Sequence, residues 1–447
     1  MGKNMSSKLS RRKFLSYSAL GLTGLTILPS WVMANGKRIV PSDRVVLGFI
    51  GLGRQGISDF YSFTGCPGVQ VAACCDADQL KLNRFKNKVE VWQADQNTPQ
   101  RCDMYEFYEE LLERKDIDAV SIASPDHWHA LMTIHACEAN KDVYVQKPLA
   151  FTIREGLEMV KAVRANNRVL QVGSQQRSSE EFQQAIKLVR SGAIGHIETI
   201  YVKVGDPPKP LDLPEQPVPS GLNWNLWMGP LNDPAIHYHP DLCPPISIDP
   251  VKDEELWGAW RWYRETGNGY TADWGAHMFD IAQAAIGMDG LGPCEFIPKG
   301  YNDTEYLTMK YRNGIVMTEQ NWRDGGKRGS RGIGFNGTKG WINVMRGYIE
   351  SSDPSLLEKK EKNIAVGEYE VSSPHMQNFI DAVRSRNNPI APVEVGCSTN
   401  TLCCLANIAT ELQRPVKWDP TTLSFDDDKE AEAHRLYSYQ YRNPYSL

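Results

Sequence analysis

The sequence predicts an α/β protein whose first half folds as a doubly wound parallel sheet and whose second half is an α+β domain with a large, mostly antiparallel sheet. Short apolar runs at 44–50, 69–75 and 119–123 have the continuous hydrophobic character of strands buried on both faces. Helical patterns lie between these runs, an alternation typical of parallel sheets. Later strands follow one another through Asn-Gly turns at 313–314 and 336–337, which favour antiparallel pairs.

Length and composition limit the class of protein. A chain of 447 residues accommodates two domains, and 41% hydrophobic with 23% charged residues is ordinary for a soluble globular protein. The formal net charge of −5 gives no reason to expect nucleic acid or an anionic membrane as a partner. The 12 Trp and 18 Tyr residues favour a carbohydrate ligand, because aromatic faces stack on sugar rings.

Residues 1–34 are predicted to be an export signal that is removed from the mature protein. Basic residues precede an uncharged stretch at 14–33, and Ala34 follows residues suited to a cleavage site. The Arg11-Arg12 pair resembles a twin-arginine signal, which predicts a periplasmic protein with no stable membrane anchor after processing. The alternative is an N-terminal membrane anchor, but Ser and Thr make the stretch weakly hydrophobic for a membrane span.

A glycine motif follows the first predicted strand directly. It reads G-x-G-x-x-G and precedes a helical pattern, which is the context that a dinucleotide-binding Rossmann domain requires. The first glycine permits the tight turn, the second lets the backbone approach a pyrophosphate, and the third lets helix and strand pack closely. The residues expected to contact the cofactor here are Gly51, Gly53, Arg54, Gln55 and Gly56.

The second predicted strand ends at Asp76, about 20 residues beyond the glycine motif. A carboxylate at this place accepts hydrogen bonds from the ribose hydroxyls and repels a 2′-phosphate. The next residues, Ala77 and Asp78, supply no cation that would neutralise such a phosphate. The sequence therefore favours NAD over NADP as the cofactor.

Further cofactor contacts are expected at the carboxyl ends of the other parallel strands, where ligands of such sheets bind. The nucleotide-binding domain is expected to span 43–174, and the substrate-binding α+β domain 175–447. The expected cofactor contacts in this group are Ser124, Pro125, Asp126, His129, Gln146, Lys147 and Gln175.

Four motifs, taken in order, resemble those of the glucose–fructose oxidoreductase and inositol dehydrogenase (Gfo/Idh/MocA) family. They are the glycine motif, Ser124-Pro125 followed by His129, the Gln146-Lys147-Pro148 triplet, and the 273–277 element, which matches the family's D-x-G-x-H. The resemblance covers essentially all of the chain after the signal. One departure is plain, since the family's usual E-K-P has Gln in place of Glu here.

The resemblance implies a catalytic role for Lys147, Asp273 and His277. Lys147 would lie between nicotinamide and substrate, His277 would exchange the proton of a sugar hydroxyl, and Asp273 would orient the substrate. The two latter residues are at i and i+4, so they would share one face of a continuous helix. The resemblance also implies that the last helices pack back on the first domain and that the protein is a homo-oligomer.

The stretch 257–264 is unusually aromatic and cationic and lies just before the Asp273–His277 element. Together with those two residues, Tyr263 and Arg264 are predicted to bind the substrate, with core packing as the alternative for the aromatic residues. The two H-x-H pairs, at 127–129 and 237–239, have no third ligand cluster beside them, so no metal is predicted.

The predicted activity is hydride transfer from a hydroxyl of a small-molecule sugar or glycoside to tightly bound NAD that is recycled on the protein. A first alternative is a redox-neutral glycoside hydrolase, which would oxidise, eliminate, hydrate and reduce in turn. A second is an exported sugar-binding protein without catalysis. The presence of Lys147, Asp273 and His277 argues against that last alternative.

Overall fold

The computed structural model of the chain describes most residues after the predicted signal. Residues 1–32 lie outside the described part, so the twin-arginine motif does too. At the N-terminus the backbone of Met33–Ala34 pairs antiparallel with that of Lys37–Arg38. The backbone of Ile364–Val366 pairs in the same way with Tyr369–Val371. Side chains are described for residues 44–96, 101–244, 257–322, 331–358 and 374–447.

The first sheet has six strands, all parallel, in the order β3-β2-β1-β4-β5-β6. This is the doubly wound order in which the direction of winding reverses between β1 and β4. Ligands of such sheets bind at that reversal, beyond the carboxyl ends of the strands. The strands are β1 (Val45–Ile50), β2 (Val69–Cys75), β3 (Asp103–Tyr105), β4 (Ala119–Ile122), β5 (Asp142–Val145) and β6 (Leu170–Val172).

Five helices connect these strands. Strong capping marks two of them: the Asp78 side chain accepts a hydrogen bond from the Leu80 amide at the start of α2, and Thr152 and Glu155 form a capping box at the start of α5. The helices are α1 (Arg54–Thr64), α2 (Gln79–Asp95), α3 (Tyr108–Leu112), α4 (Asp126–Glu138) and α5 (Ile153–Ala165).

The sequence pattern does not reveal α2 or β3. The buried side of α2 carries Lys81, Arg84 and Gln93 beside its apolar residues, so its hydrophobic periodicity is weak. Tertiary contacts make those polar side chains tolerable: the Arg84 guanidinium donates to the Leu52 carbonyl and Gln93 donates to the Val71 carbonyl.

The second sheet has nine strands in the order β13-β12-β11-β7-β10-β9-β8-β14-β15. Every pair is antiparallel except β7 with β10. The predicted fold class is therefore confirmed. The strands are β7 (Ile197–Val202), β8 (Glu295–Ile297), β9 (Thr308–Lys310), β10 (Val316–Thr318), β11 (Ile333–Gly337), β12 (Gly340–Met345), β13 (Tyr348–Ser351), β14 (Val416–Asp419) and β15 (Ser424–Phe425).

One long helix, α11 (Val393–Leu412), joins the two sheets by packing against α5, against β6 and against a helix of the second half. It is buried from Val395 to Ala409, so this part contacts protein on all sides. No described helix is long and apolar enough to cross a membrane. The other helices of this half are α6 (Glu180–Arg190), α7 (Trp224–Met228), α8 (Gly269–Asp273), α9 (Gly275–Ala285), α10 (His375–Ser385) and α12 (Lys429–Glu432).

A buried ion network ties the end of the first sheet to α9. Arg177, whose side chain is fully buried, donates to both carboxylate oxygens of Asp280 at 2.7 and 2.8 Å. It also donates to Asp289 at 2.7 Å. Burial raises the pKa of Asp280, and the neighbouring guanidinium opposes that rise only in part. The network holds α9, which carries His277, against the segment that follows β6.

Replacement of this arginine should destabilise the fold strongly. Arg177→Met leaves the fully buried Asp280 carboxylate without its cation, so we expect a loss of about 3–5 kcal/mol in the free energy of unfolding. Urea denaturation followed by circular dichroism measures it. Arg312→Met is the matched control, because its ion pair with Asp419 is exposed and should be dispensable. Equal effects of the two changes would contradict the structural role of the buried network.

Candidate active site

The glycine loop between β1 and α1 has the geometry that a pyrophosphate needs. Gly51 has φ of +84°, and a Cβ there would lie 2.4 Å from the Ser124 amide nitrogen. A Cβ on Gly56 would lie 2.1 Å from the Gly51 carbonyl oxygen. A Cβ on Gly53 would meet nothing within 4 Å, so this part of the loop faces open space. The first and last glycines are thus required by packing, and the middle one leaves the backbone accessible to a ligand.

Asp76 lies at the end of β2 and faces the same space. Its carboxylate accepts hydrogen bonds from the Leu52 amide at 2.7 Å and the Asp78 amide at 3.0 Å. These bonds fix the carboxylate beside the glycine loop. Burial raises the pKa of Asp76, and the nearby Lys81 ammonium opposes that rise.

A small pocket of 130 Å³ extends from the glycine loop toward aromatic side chains, and it takes in Asp76, Ser124 and Pro125. Its apolar wall includes Trp128 and Trp227. The hydroxyl of Ser124 is buried and has no hydrogen-bond partner among the described residues. An apolar wall opposite a ribose-binding carboxylate fits the adenosine half of a dinucleotide.

A second, larger cavity of 1080 Å³ lies beyond the strand ends, and we call it the central cavity. It brings together side chains from both sheets, separated by more than 200 residues in the chain. The residues predicted from the sequence that line it are Arg54, Gln55, Ser124, Asp126, His129, Gln146, Lys147, Gln175, Asp273 and His277.

An ion pair between Lys147 and Asp273 crosses the central cavity. The Lys147 ammonium lies 2.7 Å from a carboxylate oxygen of Asp273 and 3.0 Å from its carbonyl oxygen. Arg261 approaches the same carboxylate at 3.7 Å. Burial would raise the pKa of Asp273, but the two cations outweigh it and lower the pKa below its usual value. Asp273 is therefore ionised and holds Lys147 in one position.

Asp273 and His277 do not lie on one continuous helix. Helix α8 ends at Asp273, α9 begins at Gly275, and Trp274 is the junction. The expectation that a shared helix face brings them together is wrong in its geometry. Both side chains nevertheless line the central cavity, because the two short helices meet at its wall.

His277 is a neutral base at physiological pH. Its side chain is buried, and its Nδ1 has no hydrogen-bond partner among the described residues. Burial lowers its pKa well below 6.5, and the positive charges of Lys147 and Arg346 lower it further. A neutral imidazole in the cavity wall can accept a proton from a bound hydroxyl.

The amide of Gln146 replaces the family's acid, but a carboxylate is still present beside the strand end. Asp59, on α1, accepts two hydrogen bonds of 2.9 Å from the Gln146 side-chain nitrogen and one of 2.8 Å from that of Gln55. Its side chain is fully buried and lines the central cavity. Because neither partner is a cation, burial dominates and raises the pKa of Asp59 to about 7.

The histidines at 127 and 129 bind backbone groups. His129 has one ring nitrogen 2.9 Å from the Pro148 carbonyl oxygen and the other 2.9 Å from that of Ser124. Burial lowers its pKa to about 4, so the neutral ring donates to one of these carbonyls. His127 lies 2.9 Å from the Trp227 carbonyl oxygen. Within the described residues no group of three His, Cys, Asp or Glu side chains could hold a metal ion.

Neither Tyr263 nor Arg264 lines the central cavity. The prediction that these two residues contact the substrate is therefore corrected. A 3₁₀ turn at Ala259–Trp262 directs Arg261 and Trp262 toward the cavity instead. The chain is extended after the turn, and the Tyr263 ring packs in a separate apolar cluster while Arg264 pairs with Glu265.

Sequence reasoning missed several residues of the cavity wall. Asp59 and Arg261 could have been found, the first as an acid on the buried side of α1 and the second within the aromatic stretch. No local pattern marks the others, because they come from β-strand ends and from a helix that is distant in the chain. These residues are Arg331, Arg346 and His375.

Comparison with known families agrees with the geometry. Residues 45–174 match the family described as "Oxidoreductase family, NAD-binding Rossmann fold", and residues 187–447 match its "C-terminal alpha/beta domain". The chain belongs to the Gfo/Idh/MocA oxidoreductase family. This Gfo/Idh/MocA protein therefore has an NAD-binding first domain, as the glycine loop and Asp76 predicted.

Curated relatives of this Gfo/Idh/MocA protein include proteins named as glycosyl hydrolases. One, "Glycosyl hydrolase family 109 protein 1" of Shewanella sp. strain MR-4, is 29% identical over 216 residues, or 43% of this chain and 46% of the relative. Another, from Shewanella putrefaciens, is 32% identical over 180 residues, or 38% of each chain. The chain thus matches less than half of the length of these relatives.

Solved structures share the architecture. Levoglucosan dehydrogenase in complex with NADH and levoglucosan has a TM-score of 0.55 at 18% identity, covering 84% of this chain and 99% of that one. The WlbA dehydrogenase of Chromobacterium violaceum, in complex with NADH and UDP-GlcNAcA, has a TM-score of 0.57 at 17% identity, covering 84% and 96%. At such identities the likeness shows the fold alone.

The buried acid at the cavity wall should make stability depend on pH in an identifiable way. Between about pH 4 and pH 7 the folded protein keeps a proton on Asp59 that the unfolded chain has lost. The Asp59 contribution to the free energy of unfolding therefore falls as pH rises through this window and levels off above it. Asp59→Asn cannot titrate, so it should gain stability relative to wild type as pH rises, by an amount on the order of a few kcal/mol.

Urea denaturation at a series of pH values measures this difference. Asp427→Asn is the matched control, because that side chain is 93% exposed and should follow the wild-type profile. Parallel profiles for wild type and Asp59→Asn would contradict a buried, neutralisable carboxyl at this position.

Proposed function

We propose that this protein is an NAD-dependent oxidoreductase that acts on a hydroxyl group of a sugar or glycoside. It removes the proton of the hydroxyl and transfers a hydride from the carbon that bears it. The observation that carries the proposal is the arrangement of Lys147, Asp273 and His277 on one cavity wall, next to the glycine loop. Bound NAD supplies the hydride acceptor. The protein must supply a base for the hydroxyl proton and a fixed positive charge beside the oxygen.

The two roles fall to different residues. His277 is neutral and lines the central cavity, so it accepts the proton. The ionised Asp273 carboxylate positions Lys147, whose ammonium group can donate a further hydrogen bond to the substrate oxygen. This donor stabilises the negative charge that develops on the oxygen as the proton leaves.

The second candidate is a redox-neutral glycoside hydrolase that oxidises a ring carbon, eliminates the aglycone, adds water and reduces the sugar again. The observation that favours it is the similarity of part of the chain to the glycosyl hydrolase family 109 proteins. Oxidation of a ring carbon makes the neighbouring C–H bond acidic enough for elimination. Lys147, Asp273 and His277 can serve this scheme as well.

We also propose that residues 1–34 direct export by the twin-arginine route to the periplasm, which the Arg11-Arg12 pair supports. Free NAD is scarce outside the cytosol, so an exported enzyme would be loaded before export and would recycle its cofactor. The homo-oligomer expected from the resemblance remains a proposal, which size-exclusion chromatography with light scattering would test.

Anaerobic incubation of the purified protein with sugars and glycosides tests the main proposal. We expect absorbance of reduced nicotinamide to appear on the protein without release of an aglycone. Aglycone release without net reduction would favour the hydrolase instead. A protein that carries no nicotinamide and binds none when it is added would overturn both candidates.

Replacement of the proposed catalytic residues separates their roles. Lys147→Met and His277→Asn should each lower kcat at least about 100-fold, because a positioned acid–base group contributes about that much or more. Lys161→Met, a change at an exposed lysine on α5, should leave kcat unchanged. A variant of Lys147 or His277 that keeps full activity would remove that residue from the mechanism.

The pH profile gives a further check. Because the pKa of His277 is lowered well below 6.5, the base stays neutral as the pH falls through that value. We therefore expect kcat/KM to hold its neutral-pH value down to about pH 6. A loss of activity centred at about pH 6.5 would mean that the base is a histidine with an ordinary pKa.

A further inference from the structure

The proposed reaction does not use two arginines that line the central cavity. Arg331 lies just before β11, and its guanidinium carbon is 4.5 Å from the centroid of the Trp274 ring. Arg346 follows β12, and its guanidinium carbon is 4.6 Å from the same centroid. Both are thus held by the aromatic residue that separates Asp273 from His277 in the sequence.

Neither arginine has a carboxylate partner within 4 Å among the described residues. Arg331 makes one hydrogen bond, from Nε to the Val204 carbonyl oxygen at 3.0 Å, and also lies over the Tyr270 ring. Glu181, an acid on the same wall, accepts a hydrogen bond from the Gly347 amide. Burial lowers the pKa of Arg346 and the charge of Arg331 lowers it further, while the charges of Asp273 and Glu181 oppose that shift.

Among the described residues that line the cavity, the acids do not balance these charges. Two of its four acids do not carry a full negative charge near pH 7. Burial raises the pKa of Asp59 to about 7, where the carboxyl is about half ionised, and that of Asp126 to about 8, where it is mostly neutral. A third, Asp273, is already paired with Lys147. The pyrophosphate of a dinucleotide would add negative charge at the glycine loop, away from β11 and β12. A surplus of positive charge therefore remains beside Trp274.

This surplus lies next to the proposed base. The charge of Arg346 contributes to the lowered pKa of His277, and that of Arg331 contributes to the lowered pKa of Asp273. A group bound by the two arginines would thus be close to the hydroxyl that His277 deprotonates. Stacking on Trp274 and Tyr270 keeps the guanidinium planes oriented before any ligand binds, which lowers the entropic cost of binding.

We propose that the substrate is an anionic sugar or glycoside whose carboxylate or sulfate group is bound by Arg331 and Arg346. Guanidinium groups bind such oxyanions through paired, charge-assisted hydrogen bonds, for which planar arginines are better suited than lysines. This assignment rests on the proposed function, since it names the substrate class of the same site.

Calorimetric titration of the full chain loaded with NAD tests the assignment. The probes are matched pairs of methyl glycosides: glucuronide with glucoside, galacturonide with galactoside, and glucoside 6-sulfate with glucoside. We expect at least one anionic probe to bind 10-fold or more tightly than its neutral counterpart. Preference for the uronides would identify a carboxylate, and preference for the sulfate a sulfate ester.

Variants connect that preference to the two arginines. Arg346→Gln and Arg331→Gln should each reduce the anionic preference 10-fold or more while changing the affinity for the neutral probe less than 2-fold. Arg346 is exposed at the cavity mouth, so its variant should fold even if the Arg331 variant does not. Arg154→Gln, at an exposed ion pair on α5, is the matched control and should keep the preference.

Two results would overturn the assignment while leaving the proposed function intact. One is NAD-loaded protein that binds no anionic probe better than its neutral counterpart. The other is an anionic preference that survives both arginine replacements. Failure of the chain to bind NAD is a separate result, which would overturn the proposed function itself.

Discussion

The ion pair between Lys147 and Asp273 is the contact on which the site depends. It joins the end of a parallel strand in the first sheet to the end of a short helix in the second half, 126 residues later. A charge pair this well shielded from water is stable only if both partners are held accurately. Helix α11 meets that requirement from behind, because it is buried between α5 and α9 and fixes the distance between the two halves.

Burial of the ionisable side chains in the central cavity determines which of them are charged. Burial pushes Asp59 toward the neutral form, and it does the same to Asp126 by outweighing the charges of Arg261 and Lys147. Asp273 stays ionised because two cations face it. His277 is pushed toward neutrality by burial and by positive neighbours. One physical effect, removal of charge from water, thus produces a neutral base and a fixed ammonium group in one cavity. The same cavity holds two arginines with no carboxylate within 4 Å among the described residues.

The substitution of Gln for Glu at position 146 shows how a site can keep its composition while its sequence motif changes. The amide nitrogen of Gln146 faces the Asp59 carboxylate, so an acid is still present at the end of β5 but comes from α1. The sequence motif at 146–148 shows that the family's acid is absent at position 146. It does not report the carboxylate that a neighbouring helix brings to the same place.

The sequence alone predicts the first sheet, the glycine loop, Asp76 and the motif residues of the central cavity. Each of these depends on a local pattern, which is an apolar run, a turn that only glycine allows, or a polar residue at a strand end. The helix α2 was missed because its buried polar residues hide its periodicity, and Tyr263 and Arg264 were misplaced because a single turn decides which side chains face inward. Arg331 and Arg346 reach the site only through packing between distant segments. Their charge environment, and with it the chemistry proposed for the cavity, exists only once the two sheets have come together and excluded water.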